Sequence, residues 1–334
     1  MPEISVIIPT YNVERYIDIC LNTLIFQSFS DFEVLCIDDC STDKTLHVIE
    51  KYTQFDKRVK IVSNTHKGGP DVLRGIGIRN AQSPYCVFVD ADDVVSPYML
   101  EKYLNNIKIN DSDYMYGASI SFNRKTRHNQ KHSQLQENVF LDIVHGNTFN
   151  AENTPGVFPF FLNSEFWGKI FRTEFIKDAT FKPDSMIQDI VFCMKCFFKA
   201  KKISYLLEPL YVYNYQREGA ISANFNEKWL GIFSSLDEMR QIIEKTGMYD
   251  KYKNAYIDFK ISRIWFYLLK ARPECQKVFF EHAKAAFAKE DFSKYDLNTL
   301  YNNKFYFHTL VLLHSNFEEF QAHYNLVGSL NEKQ

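Results

Sequence analysis

Asp90, Asp92 and Asp93 fall within four positions, directly after the apolar run Tyr85-Cys-Val-Phe-Val89. A short β-rich run bounded by Ser83-Pro84 and then by acid predicts a buried central strand with its carboxylates where it leaves the sheet. Open α/β sheets bind ligands at that edge. Three carboxylates so close repel one another unless a cation offsets them. All-oxygen donors favour Mg2+ or Mn2+, which commonly share the phosphates of a substrate. Two further strand ends carry polar groups, Thr10 and Tyr11 after the first strand and Asp38 and Asp39 after the second. In a parallel sheet the three ends converge on one edge and suit a nucleoside diphosphate. Tyr11 can stack on the base, Asp39 can accept from a base N–H or a ribose hydroxyl, and the later acids can hold a metal against the phosphates. Each group also has an ordinary alternative: a solvated acidic turn at 90–93, a packed surface aromatic at Tyr11, and a helix N-terminal acid at Asp39.

The elements that must position these groups read in alternation. Strands are expected at Ile4–Thr10, Glu33–Asp39, Val59–Ser63, Tyr85–Val89 and Asp113–Phe122. Helices are expected at about 13–27, from the capping run Ser41–Thr45 to Tyr52, at Asp71–Ala81 carrying Arg74, and from Ser96-Pro97 with Pro at the first helical position. Strands alternating with helices of this length imply βαβ units and a mostly parallel sheet. Residues 123–138 are polar and read as an exposed loop or flap. Pro155–Phe175 is aromatic and holds Asn163. A helix from Gln188 to Ala200 is led by Asp189, Tyr205–Tyr215 is strand-like, and helices at 228–245, 249–270, 274–288 and 304–313 form a separate layer.

A chain of 334 residues can bury a substantial core. A net charge of −2 argues against a general nucleic-acid binder, whose footprint is a strongly basic face. Seven scattered cysteines give no disulfide framework, and with no leader segment they fit a reducing cytoplasm. Cys193 and Cys196 share a helix face with no partner Cys or His pair nearby and read as core. No apolar run reaches the length of a membrane span. The first strand lacks a following Gly-x-Gly-x-x-Gly, and no phosphate-binding P-loop or Gly-x-Ser-x-Gly elbow occurs.

In order and spacing, Ser5-Val-Ile-Ile-Pro-Thr-Tyr-Asn12, Ile37-Asp-Asp-Cys-Ser-Thr-Asp43, Gly68-Gly69 with Arg74, and Phe88-Val-Asp-Ala-Asp-Asp93 resemble the N-terminal half of family 2 glycosyltransferases. The resemblance covers about residues 4–100. It continues more loosely through Trp167-Gly-Lys-Ile-Phe-Arg172, Gln188-Asp189 and Pro209-Leu-Tyr-Val-Tyr213. It implies the α/β GT-A fold, a Rossmann-like and mostly parallel central sheet flanked by helices, with a helical C-terminal layer. The implied domains are 1–222, divided into a nucleotide-sugar half to about 122 and an acceptor half from 123, and then 223–334. The implied reaction is inverting transfer of a sugar from a nucleotide-sugar, with UDP favoured, to a hydroxyl of a glycan or lipid-linked acceptor, assisted by Mn2+ or Mg2+. The implied setting is bacterial capsule or lipopolysaccharide-type synthesis in the cytoplasm, with peripheral contact to the inner membrane.

Carried over residue by residue, Pro9, Thr10 and Tyr11 would border the uracil and Asp39 would bind it. Asp90 and Asp92 would form the Asp-x-Asp motif. Asp92 or Asp93 would bind the metal, with Asp93 preferred and Asp92 nearer the ribose. Arg74 would hold the nucleotide side and Asp189 would be the catalytic base. Trp167, Lys169 and Arg217 would contact diphosphate or acceptor. The sequence departs from the family at Cys40, where Gly is common, at Gly75, where Asn is common, and at Gln188, where Glu usually precedes the base. Asn214 and Ala220 stand where Arg and Ser are frequent. Two rivals are a glycan- or nucleotide-binding module that has lost catalysis and a sugar nucleotidyltransferase. The second would need a Gly-rich basic first loop, which Pro9-Thr-Tyr-Asn12 is not.

Overall fold

A computed structural model of the protein describes residues 1–63, 68–123, 128–131, 146–162, 164–182, 187–215 and 226–322. Arg217, Ala220, Asn163 and most of the polar stretch 123–138 lie outside the described residues. The chain divides into two compact units, Met1–Thr154 with Phe161–Gly219, and Pro155–Phe160 with Ala220–Gln334.

The first unit is built on one mixed sheet. Its strands are β1 Ile4–Thr10, β2 Phe32–Asp38, β3 Val59–Ser63, β4 Tyr85–Phe88, β5 Val94–Val95, β6 Tyr114–Asn123, β7 His128–Lys131, β8 Thr148–Phe149, β9 Lys169–Arg172 and β10 Ile203–Tyr215. The main path runs β3-β2-β1-β4-β9-β6-β10-β5, with β7 beside β6 and β8 beside β10. The block β3-β2-β1-β4 is parallel, as its continuous apolar runs predict. The next strand in sequence does not extend that block. Four-residue β9 lies antiparallel between β4 and β6, so the second half of the sheet joins the first through a strand that comes later in the chain.

Helices α1 Ile17–Ile25, α2 Thr45–Phe55, α3 Gly69–Asn80, α4 Met99–Asn110 and α5 Gln188–Lys199 belong to this unit. Alternate residues of β1 serve different cores. Ile4, Val6 and Ile8 pack in one cluster with Ile17, Leu21 and Leu24 of α1 and Leu104 and Ile107 of α4. Each such fully buried aliphatic side chain contributes about 1.5–3 kcal/mol. On the other side α3 crosses β1 so closely that a Cβ on Gly77 would stand 2.3 Å from Ile7 Cγ2. Gly77→Ala is therefore expected to cost about 1–3 kcal/mol through overpacking, seen as a lower urea midpoint; an unchanged midpoint would show that α3 can shift. Helix α4 starts two residues later than the Ser-Pro signal suggests. The Ser96 carbonyl accepts from Met99 N–H (3.0 Å), while the Pro97 carbonyl accepts from Ser28 N–H (2.8 Å) and is used to tie α1 to α4.

The second unit carries α6 Gly231–Lys245, α7 Tyr249–Lys270, α8 Gln276–Ala288, α9 Leu297–Asn302 and α10 Tyr306–His314. Trp265 of α7 is fully buried, stacks on Phe305 with centroids 5.4 Å apart, and donates its indole N–H to Thr309 Oγ1 (2.9 Å). The buried pair Lys260–Glu290 (2.6 Å) is supported by Arg240 and by the Tyr295 hydroxyl. These bonds satisfy charges that would otherwise be costly to bury. No helix among the described residues is long and apolar enough to cross a membrane.

Candidate active site

The ends of β1 and β2 are locked together by side chains of their following turns. Asn12 Oδ1 accepts from Thr42 N–H (2.8 Å), and Asn12 N–H donates to Ser41 Oγ (3.1 Å). Asp38 accepts from Ser41 N–H and Oγ–H (3.0 and 2.6 Å), closing the turn at Cys40. Cys40 has φ of 61° and Asn12 of 50°. Cys40 thus adopts the left-handed backbone that favours glycine. Thr10 is buried and donates to the Ile37 carbonyl (3.1 Å), whereas Tyr11 is 44 % exposed. Asp39 is buried, and its carboxylate accepts from the backbone N–H groups of Gly68 (3.0 Å) and Gly69 (3.1 Å). It caps α3 across the sheet edge, an acid stabilised at a helix N-terminus that is not its own.

The three acids after β4 have separate environments. Asp93 is fully buried; its oxygens accept from Tyr211 Oη–H (2.6 Å) and from Asn214 N–H (2.8 Å) of β10. Burial, then the neighbouring Asp92 and Asp90, push its carboxyl well above the usual range. The Tyr211 hydroxyl also accepts from Asp90 N–H (3.0 Å), and Asn214 Nδ2 donates to the Asp92 carbonyl. Asn214 thus ties the acid turn to β10. Asp92 and Asp90 are partly exposed. Among the described residues no three His, Cys, Asp or Glu side chains form a ready metal cage.

Arg74 joins these acids to the rest of the site. Its guanidinium bonds Asp71 Oδ1 (2.8 Å) and Asp90 Oδ1 (2.5 Å), and lies 4.5 Å from the centre of the Phe166 ring. Burial alone favours the neutral form, but Asp90 and then Asp71 outweigh it and push the pKa of Arg74 up. Gly75, where a Cβ would stand 2.8 Å from the Phe181 ring, lets the helix approach the aromatic cluster of Phe166, Phe181 and Phe192.

Asp189 sits in the first turn of α5, partly exposed, and its Oδ1 accepts from Ile190 N–H (2.8 Å). Burial, then Asp71 and Glu165, push its carboxyl up to about 7. Gln188 supplies no charge. Its side-chain amide instead clamps Lys182, accepting from that residue's N–H (2.6 Å) and donating to its carbonyl (2.8 Å). The residue before it, Ile187, has φ of 70°, an uncommon conformation for a β-branched side chain.

Trp167 and Lys169 are placed differently from the contact roles expected of them. Trp167 is 3 % exposed and stacked on Tyr211, with centroids 4.7 Å apart. Lys169 is 3 % exposed and donates to the Glu165 carbonyl (2.6 Å). Both pack beneath the site rather than open onto it. Conversely, Asp71, Tyr211 and Asn214 hold the site together although the family motifs do not mark them for these roles. Asp71 carried a signal, three residues before Arg74 on a helix and so able to reach it.

The sequence profile of the glycosyl transferase family 2 matches residues 5–173. A cholesterol galactosyltransferase of Borreliella burgdorferi is 28% identical over 280 residues, covering 80% of this chain and 75% of that protein. The poly(ribitol-phosphate) β-N-acetylglucosaminyltransferase TarS of Staphylococcus aureus is 32% identical over 225 residues, covering 66% of this chain and 36% of its own length. The chain thus spans three quarters of the first relative and about a third of the second. The crystal structure of S. aureus TarS 1–349 with UDP superposes with a TM-score of 0.71 at 22% identity, covering 99% of this chain and 92% of that one. The profile match over the sheet edge that carries these acids, together with that fold, places the chain in glycosyl transferase family 2 with the GT-A architecture.

Proposed function

We propose that the protein transfers a sugar with inversion from a UDP-sugar to a hydroxyl of a glycan or lipid-linked acceptor, with Asp189 as general base. The observation that carries this reading is Arg74, a single buried cation within electrostatic reach of Asp90, Asp71 and Asp189. It ties the strand-end acids to Asp189, a carboxyl whose raised proton affinity suits base catalysis near neutral pH. Pro9, Thr10, Tyr11 and Asp39 border the nucleoside end, and Asp90 lies toward the ribose. The donor set fits a hard divalent cation, because the acid turn offers only oxygen donors and its carboxyl groups crowd one another. Asp92 would hold it, with Asp90 beside it; Asp93, closed in by Tyr211 and Asn214, is the anchor of the turn, which reverses the preference for Asp93 as ligand. When bound, such a cation offsets charge developing on the departing diphosphate.

Arg74 holds the Asp90 carboxylate in place through its ion pair. Asp189 accepts the proton of the acceptor hydroxyl as that oxygen attacks the anomeric carbon from the face opposite the diphosphate. UDP and UDP-GlcNAc are bound by the TarS structures, and relatives named for poly(ribitol-phosphate) glycosylation support a surface-polymer acceptor. A cytoplasmic setting with peripheral membrane contact completes the proposal.

A thermal-shift panel of UDP, GDP, CDP and dTDP, with and without Mn2+, tests the donor site. Ligand at a hundred times its dissociation constant adds about 2.7 kcal/mol. Mn2+-dependent stabilisation by UDP alone is expected. Selective stabilisation by GDP would change the donor class, and no response to any nucleotide would remove the donor site.

A further inference from the structure

We propose that Asp71 is a positioning residue for the transfer step, joining Arg74 and the N-terminus of α5 into one hydrogen-bonded unit. The proposal rests on Asp189 being the base. Asp71 stands in the first turn of α3 and is buried, so it is not placed to touch substrate. One carboxylate oxygen bonds Arg74 Nη1 at 2.8 Å. The carboxylate also accepts from the backbone N–H of Gln188, the first residue of α5. Asp189 is the next residue. A single side chain of α3 therefore fixes both the cation that reaches Asp90 and the helix end that presents Asp189. Helix N-termini leave backbone N–H groups unpaired, and an acid from another helix satisfies one here. The first N–H of a helix has no intrahelical carbonyl to bond, and the Gln188 side chain is engaged with Lys182.

The same placement brings a second negative charge toward Asp189. Among the described residues, the groups facing Asp189 are Asp71 and Arg74 from α3, Glu165 from the segment ahead of β9, and Ile190 N–H and Cys193 from its own helix. Asp71 and Glu165 favour its protonated form, while Arg74 and the Ile190 N–H favour the ionised form. Removing the Asp71 charge withdraws one carboxylate and releases Arg74 from half of its pairing. Both changes make Asp189 more acidic.

The test uses the full chain. The 13C carboxyl resonance of Asp189, identified as the one missing from Asp189→Asn, is titrated in the wild type and in Asp71→Asn. The expected result is a midpoint lower by on the order of 1 pH unit in Asp71→Asn. Asp71→Ser, which removes the charge with a smaller side chain, should shift it likewise. UDP release from UDP-GlcNAc, UDP-glucose or UDP-galactose is then followed against pH. Its acid limb should move the same way, and the plateau kcat/KM should fall roughly 10–100-fold as the helix end loses its anchor. A midpoint that stays put in a folded variant would overturn the proposal. So would both variants failing to fold where the wild type is stable, since Asp71 would then serve folding alone. Retention of full transfer by Asp189→Asn would instead overturn the base assignment and the proposal with it, whatever the titration shows.

Discussion

Asp189→Asn is expected to keep UDP binding within a few-fold of wild type and to lose transfer by about 10²–10⁴-fold, the usual contribution of a positioned base. Asparagine matches the carboxylate in shape, and its Oδ1 can still accept from Ile190 N–H, the bond that seats the side chain on α5. What it cannot do is take a proton. The wild-type profile follows from the same group. A base with its carboxyl pushed up to about 7 by burial, then by Asp71 and Glu165, is mostly protonated below that pH. The logarithm of kcat/KM should therefore rise with unit slope below about pH 7 and level off above it. A flat profile down to pH 5, or a variant with unchanged turnover at saturating acceptor, would show that Asp189 is only an N-terminal acid of α5.

Arg74→Ala is expected to cost about 3–5 kcal/mol of stability, because it strands two carboxylates that the guanidinium now pairs. Asp71 is almost fully enclosed and Asp90 only about a quarter exposed, with side-chain exposures of 11% and 26%. The cation–π contact with Phe166 is lost as well. Arg74→Lys keeps the charge but replaces a two-pronged donor by a point, and should recover only part of the loss. Urea unfolding reads both variants. Equal midpoints for Arg74→Lys and wild type would mean that charge alone matters at this site. UDP affinity, measured where each variant is folded, should fall with the same ranking.

The parallel block and the identity of its polar ends were legible because each rests on a local pattern: an apolar run such as Ser5–Ile8, ended by Pro9, Thr10 and Tyr11. Helix α5 and the placement of Asp189 in its first turn were legible for the same reason. What the pattern could not show is pairing between distant segments. Asp39 looks like the acid before its own helix, yet its carboxylate caps α3, thirty residues on. Asp93 looks like the most available of three acids until Tyr211 and Asn214 arrive from β10. Trp167 and Lys169, expected from the family resemblance to contact diphosphate or acceptor, are buried because β9 is inserted between two strands far away in sequence. Cys40 departs from the common glycine yet still takes up the left-handed backbone that glycine favours, in a turn closed by Asp38 and Ser41.

The antiparallel insertion of β9 also sets an order on the birth of the molecule. As the chain leaves the ribosome, β3, β2, β1 and β4 can pair as soon as residue 88 has emerged, using short crossovers and neighbouring segments. Strand β6 can pair at once with β7 over Ile120–Asn123, but its Tyr114–Tyr116 segment has no central partner until Lys169–Arg172 appears, and its outer edge none until β10. Over that interval β4 and β6 both present open edges, the state in which sheets recruit foreign strands. Contacts of such sequence separation also form slowly. The strand that closes the sheet is thus the one on which safe folding waits, and a nascent chain stalled before it carries the recognisable motifs of the family on a sheet that is still open.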